Sequence, residues 1–232
     1  MGQLYSNGFI RLDKYEFDVY YIYNDADKKT LVAYVGAETN LIIPDGIQEI
    51  GENAFSWNKE IESIQISNFV TNIGFGAFKR CESLLTVNMP DSVIEIGGQA
   101  FSGCTSLRKV VLSNEISKIS AQTFSFCESL TEIIIPDKVT TIEMDAFKRC
   151  KALTQIVLGE AVSQIEASAF YDCPLQIVYY KGAETLYNIP TNSLYYYSEL
   201  EPAMNSDGTA YDGNYWRYEN GIPTIWEYSK ED

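Results

Sequence analysis

The cysteines are the first residues in this chain whose type and spacing could do chemistry. They recur every 23 residues, at Cys81, Cys104, Cys127, Cys150 and Cys173. Lys79 and Arg80 precede the first of them, and neighbouring cations favour the reactive thiolate form of a cysteine. Stacked cysteines could also approach the Cα separation of a disulfide, roughly 4.4–6.8 Å. Because their number is odd and their positions are equivalent, we interpret them as buried thiols that pack as small apolar side chains.

Carboxylates are the second candidates, since two of them can carry out glycoside hydrolysis. Glu49 with Glu52 and Glu143 with Asp145 are examples of close acid pairs. These positions change from one repeat to the next, which favours a solvated surface. The chain contains no histidine, which excludes Ser-His-Asp and Cys-His nucleophile systems and histidine-based zinc sites. The sequence therefore predicts no catalytic residue, no cofactor and no metal site.

The element that must position these residues is a 23-residue repeat marked by phenylalanine. A small residue, alanine or threonine, precedes each of these aromatic residues. They are Phe55, Phe78, Phe101, Phe124, Phe147 and Phe170. A fixed period of this size is typical of a solenoid, in which each turn of chain stacks on the one before. We expect the phenylalanines and the cysteines to form continuous interior columns.

Each repeat also carries a short alternating segment, such as Ile64-Gln65-Ile66 or Val87-Asn88-Met89. Alternation of this kind predicts a strand with one face turned inward. Proline, or a small polar residue in its place, ends the strand without removing a ladder hydrogen bond. The sequence therefore predicts a parallel sheet with one short strand per turn.

The repeat unit reads C-x-x-L-x-x-V-x-I-P-x-x-V-x-x-I-x-x-x-A-F-x-x and resembles the bacterial BspA-type leucine-rich repeat family over about residues 41–180. The cysteine precedes the strand, whereas the general leucine-rich consensus has Asn or Cys after it. The resemblance implies a right-handed solenoid with β-rich caps at both ends. It also implies a bacterial surface or secreted protein, if an export leader has been removed, and adhesion to host or matrix proteins.

We expect three regions in the chain, because the end turns of a solenoid would otherwise expose core and strand edges. Residues 1–40 are expected to form an N-terminal β-hairpin cap, and residues 41–180 the solenoid of six to seven turns. Residues 181–232 are rich in Tyr and Trp and are expected to form the C-terminal cap, with Asn220-Gly221 as a tight hairpin turn.

Two outward rows of the parallel sheet are the candidate binding surface. The C-terminal half of one row is apolar although it is expected to face solvent, and such a strip often marks an interaction site. The predicted binding residues are Lys109, Val111, Glu132, Ile134, Gln155, Val157, Ile177 and Tyr179. Two alternatives remain open: β-branched residues suit exposed strands in any case, or the C-terminal segment folds over the strip.

The favoured function is non-catalytic protein binding through this sheet face, and a rigid spacer without a ligand is the alternative. A third hypothesis is glycan binding by the aromatic C-terminal cap. Its candidate rings are Tyr195, Tyr196, Tyr197, Tyr211, Tyr215, Trp216, Tyr218 and Trp226. The net charge of −15 disfavours nucleic acid and anionic membranes as partners, and no apolar run is long enough to insert into a membrane.

Overall fold

Short β-strands follow one another along the chain in the computed structural model. It describes residues 10–11, 20–23, 29–183, 185–189, 194–204, 206 and 213–227. Within these ranges the regular structure consists of strands, with no helix. The fold is a parallel β-solenoid, as the repeat predicts.

The principal parallel sheet contains one strand from each turn. Its strands are β4 (Asn40–Ile42), β6 (Ser63–Gln65), β8 (Thr86–Asn88), β10 (Lys109–Val111), β12 (Glu132–Ile134), β14 (Gln155–Leu158) and β16 (Ile177–Tyr180). Partners are 23 residues apart, for example Val87 opposite Val110. The last repeat is one residue shorter, and Ile156 accordingly pairs with Val178. The ladder is continuous from β4 to β10 and from β12 to β16, and β10 lies beside β12.

A second set of parallel strands, each two residues long, lies at the next bend of every turn. These are β5 (Glu49–Ile50), β7 (Asn72–Ile73), β9 (Glu95–Ile96), β11 (Lys118–Ile119), β13 (Thr141–Ile142) and β15 (Gln164–Ile165). The isoleucine of each strand is buried. In the repeat unit a Val stands three residues before this Ile. Both side chains therefore lie in one core.

The N-terminal strands continue the short-strand sheet and cap its first turn. They are β1 (Ile10–Arg11), β2 (Tyr20–Tyr23) and β3 (Thr30–Val35). β1, β2 and β3 pair antiparallel, and β3 then pairs parallel with β5. β2 and β3 form an antiparallel pair, and the residues expected to connect them, 24–28, lie outside the described residues. The ring centroid of Tyr34 on β3 lies 5.4 Å from that of Phe55, so Tyr34 is the first ring of the aromatic column.

The interior contains the predicted phenylalanine column. Successive rings from Phe55 to Phe170 stack with centroids 4.9–5.6 Å apart and planes 6–12° from parallel. Each ring is at most 4% exposed. Because the turns have equal length, each phenylalanine ring lies on the ring of the next turn. The column of rings runs through the centre of the core.

The C-terminal segment first adds two parallel strands to the principal sheet and then ends the sheet with an antiparallel strand. β17 (Leu194–Tyr197) pairs parallel with β16, and β18 (Tyr215–Glu219) pairs parallel with β17. β19 (Ile222–Ile225) then returns antiparallel to β18. The connecting Asn220 and Gly221 both have positive φ, 52° and 80°, as a two-residue hairpin turn requires. The Asn220-Gly221 turn forms as expected, the C-terminal cap is β-rich, and parallel pairing continues beyond residue 180.

Candidate functional site

The two outward rows form as the alternation predicts. In one row Glu132 lies beside Gln155, and in the other Ile134 lies beside Val157, because β12 and β14 pair in register. The side chain between them, Ile133, is buried in the core. Lys109 and Val111 occupy the same rows one turn earlier, on β10.

The apolar row is only partly exposed, which corrects the expectation for its last two members. Val111 and Ile134 are 45% and 52% exposed, whereas Val157 and Tyr179 are 4% and 6% exposed. The half-buried Ile177 of the other row packs against the same cluster. Val157 and Tyr179 are therefore unavailable to a partner, and the alternative in which the C-terminal segment covers the strip holds for them.

Trp216 of β18 is the side chain that covers this part of the sheet. Its ring lies 5.2 Å from Tyr179, 5.1 Å from Tyr197 and 5.0 Å from Tyr218. Its Nε1 donates a hydrogen bond to the carbonyl oxygen of Tyr180 at 3.1 Å. Burial raises the pKa of Tyr179 and Tyr218, so both phenols are neutral at physiological pH. The aromatic cluster covers the outer face of the sheet at β14 and β16.

The same burial bears on the glycan hypothesis for the cap. Trp216 has no exposed surface and cannot stack on a sugar ring. Trp226 is half-buried beneath Arg217, whose guanidinium lies 3.6 Å from the ring centroid, and its Nε1 donates to the Ser198 carbonyl oxygen at 2.9 Å. Tyr211 lies outside the described residues. The geometry favours packing over sugar recognition for both tryptophans.

A groove lies where the exposed strip meets the tip of the β18–β19 hairpin. It has a volume of about 160 Å³, and its walls include Glu132, Ile134, Gln155, Ile222 and Pro223. Ile222, at the hairpin tip, is 65% exposed. Gln155 Nε2 donates to Glu132 Oε2 at 2.8 Å and fixes the polar edge. Sequence analysis missed Ile222, because its proximity to β12 depends on how the cap folds back.

Four of the cysteines are buried, and the burial of Cys81 argues against a reactive thiol there. Cys173 is half-buried, and a hydrogen bond with Cys150 lowers its pKa. The side chain of Cys81 is 0% exposed, and its Sγ donates to the carbonyl oxygen of Phe55 at 3.2 Å. Burial raises the pKa of Cys81 to about 12 and raises the pKa of Cys104 well above its usual value. All five thiols are free. Each later cysteine makes the same contact with the phenylalanine one turn earlier, and the column thereby ties neighbouring turns together.

Comparison with known proteins identifies the class. The family model of the BspA type leucine rich repeat region matches residues 33–151 and 117–214, with six copies. The chain therefore belongs to the BspA-type leucine-rich repeat family, whose members are typically bacterial surface or secreted proteins. Members and structural neighbours are typically non-catalytic. The part of the chain that the structure describes contains no helix long and apolar enough to cross a membrane.

Solved structures agree with this fold. A leucine-rich repeat protein from Eubacterium ventriosum is 25% identical with a TM-score of 0.61, over 74% of this chain and 52% of that chain. A leucine-rich repeat protein from Bacteroides ovatus is 19% identical with a TM-score of 0.54, over 85% of this chain and 62% of that chain. The chain thus spans less than two thirds of either protein. No curated protein matches the sequence.

Proposed function

We propose that the chain is a protein-binding module of a bacterial surface or secreted protein, with an adhesion-type role. The observation that carries the proposal is the exposed apolar strip of Val111 and Ile134, which continues across the groove to Ile222. We refer to these three residues as the sheet strip. Contiguous exposed apolar side chains mark interaction sites more often than chance.

The surroundings of the sheet strip support recognition of a protein rather than non-specific adhesion. Lys109, Glu132 and Gln155 form a polar border on the neighbouring row, and an apolar centre with a polar rim is the usual composition of a protein interface. The groove beside Ile134 has room for one apolar side chain of a partner. The net charge of −15 favours the approach of a partner with a basic surface.

The binding test uses substitutions that the chain itself tolerates at equivalent positions. Gln65 and Asn88 occupy the same outward row on β6 and β8, so Val111→Asn combined with Ile134→Gln keeps the sheet intact. Immobilised extracellular-matrix proteins are the probes, and binding is measured by interferometry. We expect any specific interaction to weaken at least tenfold in this variant. Val157→Ser is unsuitable, because Val157 is packed beneath the cap.

The matched control removes two exposed apolar side chains from another part of the surface. Phe69 and Ile94 are 55% and 56% exposed, and Ala161 and Thr140 stand at the equivalent repeat positions. Phe69→Ala with Ile94→Thr is expected to leave binding unchanged. Equal binding by both double variants and the unaltered chain would contradict the sheet strip as the site, and absence of binding by the unaltered chain would favour the rigid-spacer function.

A further inference from the structure

A second surface, remote in the repeat from the sheet strip, lies at the bend that follows each phenylalanine. The second residue after each phenylalanine has a left-handed backbone, with φ between 58° and 78°. These residues are Trp57, Arg80, Gly103, Phe126, Arg149 and Asp172. Bulky side chains are rare in this conformation, whereas glycine adopts it freely. Since glycine occupies one of the six positions, the large side chains at the others are not required by the bend.

Strained backbone positions that keep large side chains often belong to functional surfaces. Here the large side chains form cation–aromatic pairs between turns. Arg80 lies 4.7 Å from the ring centroid of Trp57, and Arg149 lies 5.3 Å from that of Phe126. Trp57 is 58% exposed, so its ring presents a face to solvent beside a positive charge.

Two Lys-Arg turns border a groove of about 430 Å³ at this surface. Lys79 and Arg80 lie at one end and Lys148 at the other, and the small residues Ser102 and Gly103 lie between them. A volume of this size is in the range of ligand sites, about 300–1,000 Å³. The two cationic ends are three turns apart, which is about 14 Å at the spacing of β-strands.

A hydrogen-bonded ladder of side chains joins the two lysines along the groove. Lys79 Nζ donates to Gln99 Oε1 at 2.6 Å, and Gln99 Nε2 donates to Gln122 Oε1 at 2.7 Å. Lys148 Nζ donates to Asp145 at 3.0 Å. Burial would raise the pKa of Asp145, but hydrogen bonds from Lys148, Ser168 and Gln122 hold it below its usual value. The ladder fixes the amide groups in a regular row.

The lining of the groove carries more cations than carboxylates, in a protein of net charge −15. It includes Lys79, Arg80, Lys148 and Glu128, and two carboxylates beside it pair with Lys148 (Asp145, 3.0 Å) and with Arg80 (Glu82, 3.8 Å). The hydrogen bond of Lys79 to Gln99 involves a neutral amide, which leaves the charge of this ammonium available to an anion.

We propose that this groove binds a linear acidic polysaccharide. Its anionic groups pair with the cationic ends, its hydroxyl groups hydrogen-bond to Gln99 and Gln122, and a sugar ring packs on Phe126. A row of amides and hydroxyls between two cations suits a chain of repeated polar rings. An acidic peptide such as poly-glutamate carries no side-chain hydroxyl groups to match the polar lining between the cations.

The test removes one cationic end by copying a turn that the chain already contains. Ser102-Gly103 stands at the repeat position of Lys79-Arg80, so Lys79→Ser with Arg80→Gly preserves the bend. The probes are polygalacturonate and heparin, which separate carboxylate from sulfate recognition, with neutral dextran and poly-L-glutamate as comparisons. We expect polygalacturonate, heparin or both to bind in low salt, and this variant to bind at least tenfold more weakly.

The control removes the same charge elsewhere, with Lys118→Gln and Lys138→Ala, for which Gln164 and Ala161 are the equivalent residues. It is expected to bind like the unaltered chain, as is the sheet-strip variant Val111→Asn with Ile134→Gln. Circular dichroism verifies that each variant is folded. The proposal is overturned if neither anionic polysaccharide binds, if the control loses as much affinity, or if poly-L-glutamate or dextran binds as tightly.

Discussion

Replacing Trp216 with alanine tests how the cap and the sheet are joined. Trp216 is fully buried and contacts the rings of Tyr179, Tyr197 and Tyr218. Removing such a side chain typically costs about 3–5 kcal/mol. A solenoid is held together by contacts between neighbouring turns. We therefore expect Trp216→Ala to destabilise β17–β19 and the turn that they pack on.

The measurement is urea denaturation followed by far-UV circular dichroism, together with binding of a dye specific for exposed apolar surface. Trp216→Ala is expected to lower the free energy of unfolding of the C-terminal end by about 3–5 kcal/mol and to increase dye binding, because Val157 and Tyr179 become uncovered. The matched control is Trp57→Ala, since Trp57 is 58% exposed, and its loss should stay near 0.5 kcal/mol, as at other surface positions. Equal losses in the two variants, or no increase in dye binding by Trp216→Ala, would refute the reasoning.

Two further predictions concern the interior columns. Phe101→Ala is expected to lower the free energy of unfolding by about 3–5 kcal/mol. Phe170→Ala should cost less, because among the described residues its ring stacks on a phenylalanine on one side only; equal losses in urea denaturation would contradict the stacked column. Cys81 has a pKa of about 12 against an ordinary value of 9.0, so stability should fall as pH rises from about 9 towards 12, where only the unfolded thiol ionises. Cys81→Ala should reduce the pH dependence of the free energy of unfolding by up to about 1.4 kcal/mol per pH unit. Parallel pH profiles for the variant and the unaltered chain would contradict the burial of the thiol.

The periodic part of the fold could be predicted from the sequence because each turn repeats one set of contacts. The spacing of Phe78 and Phe101 places their rings over one another, and the same offset places Val87 opposite Val110. Even the shortened last repeat could be aligned, since Val178 must remain inside to continue the column beneath Ile156.

The cover of the sheet could not be predicted, because it depends on contacts outside the repeat. Trp216 reaches Tyr179 across a connection that has no 23-residue period. Ile222 likewise comes close to Ile134 only after the β18–β19 hairpin has formed. The same alternation that predicts outward side chains on β14 cannot show which of them a later strand will bury.

The sequence contains a signal for the Lys-Arg groove. Lys79-Arg80 and Lys148-Arg149 stand at one repeat position, with Ser102-Gly103 between them. Their separation by three turns follows from the period alone. The backbone at Arg80 and Arg149 is left-handed, and an amide ladder runs along the groove. Both features depend on the local geometry of the bend, so the sequence alone could not predict them.

The proposed protein-binding role of the sheet strip is tested most directly by site-specific photocrosslinking. A benzophenone amino acid at position 134 is compared with the same group at position 94, because Ile134 and Ile94 are similarly exposed, at 52% and 56%, on different parts of the repeat. We expect a covalent adduct with a bound matrix protein from position 134 and none from position 94. Adducts from position 94 alone, or equal yields from both, would contradict the sheet strip as the binding site.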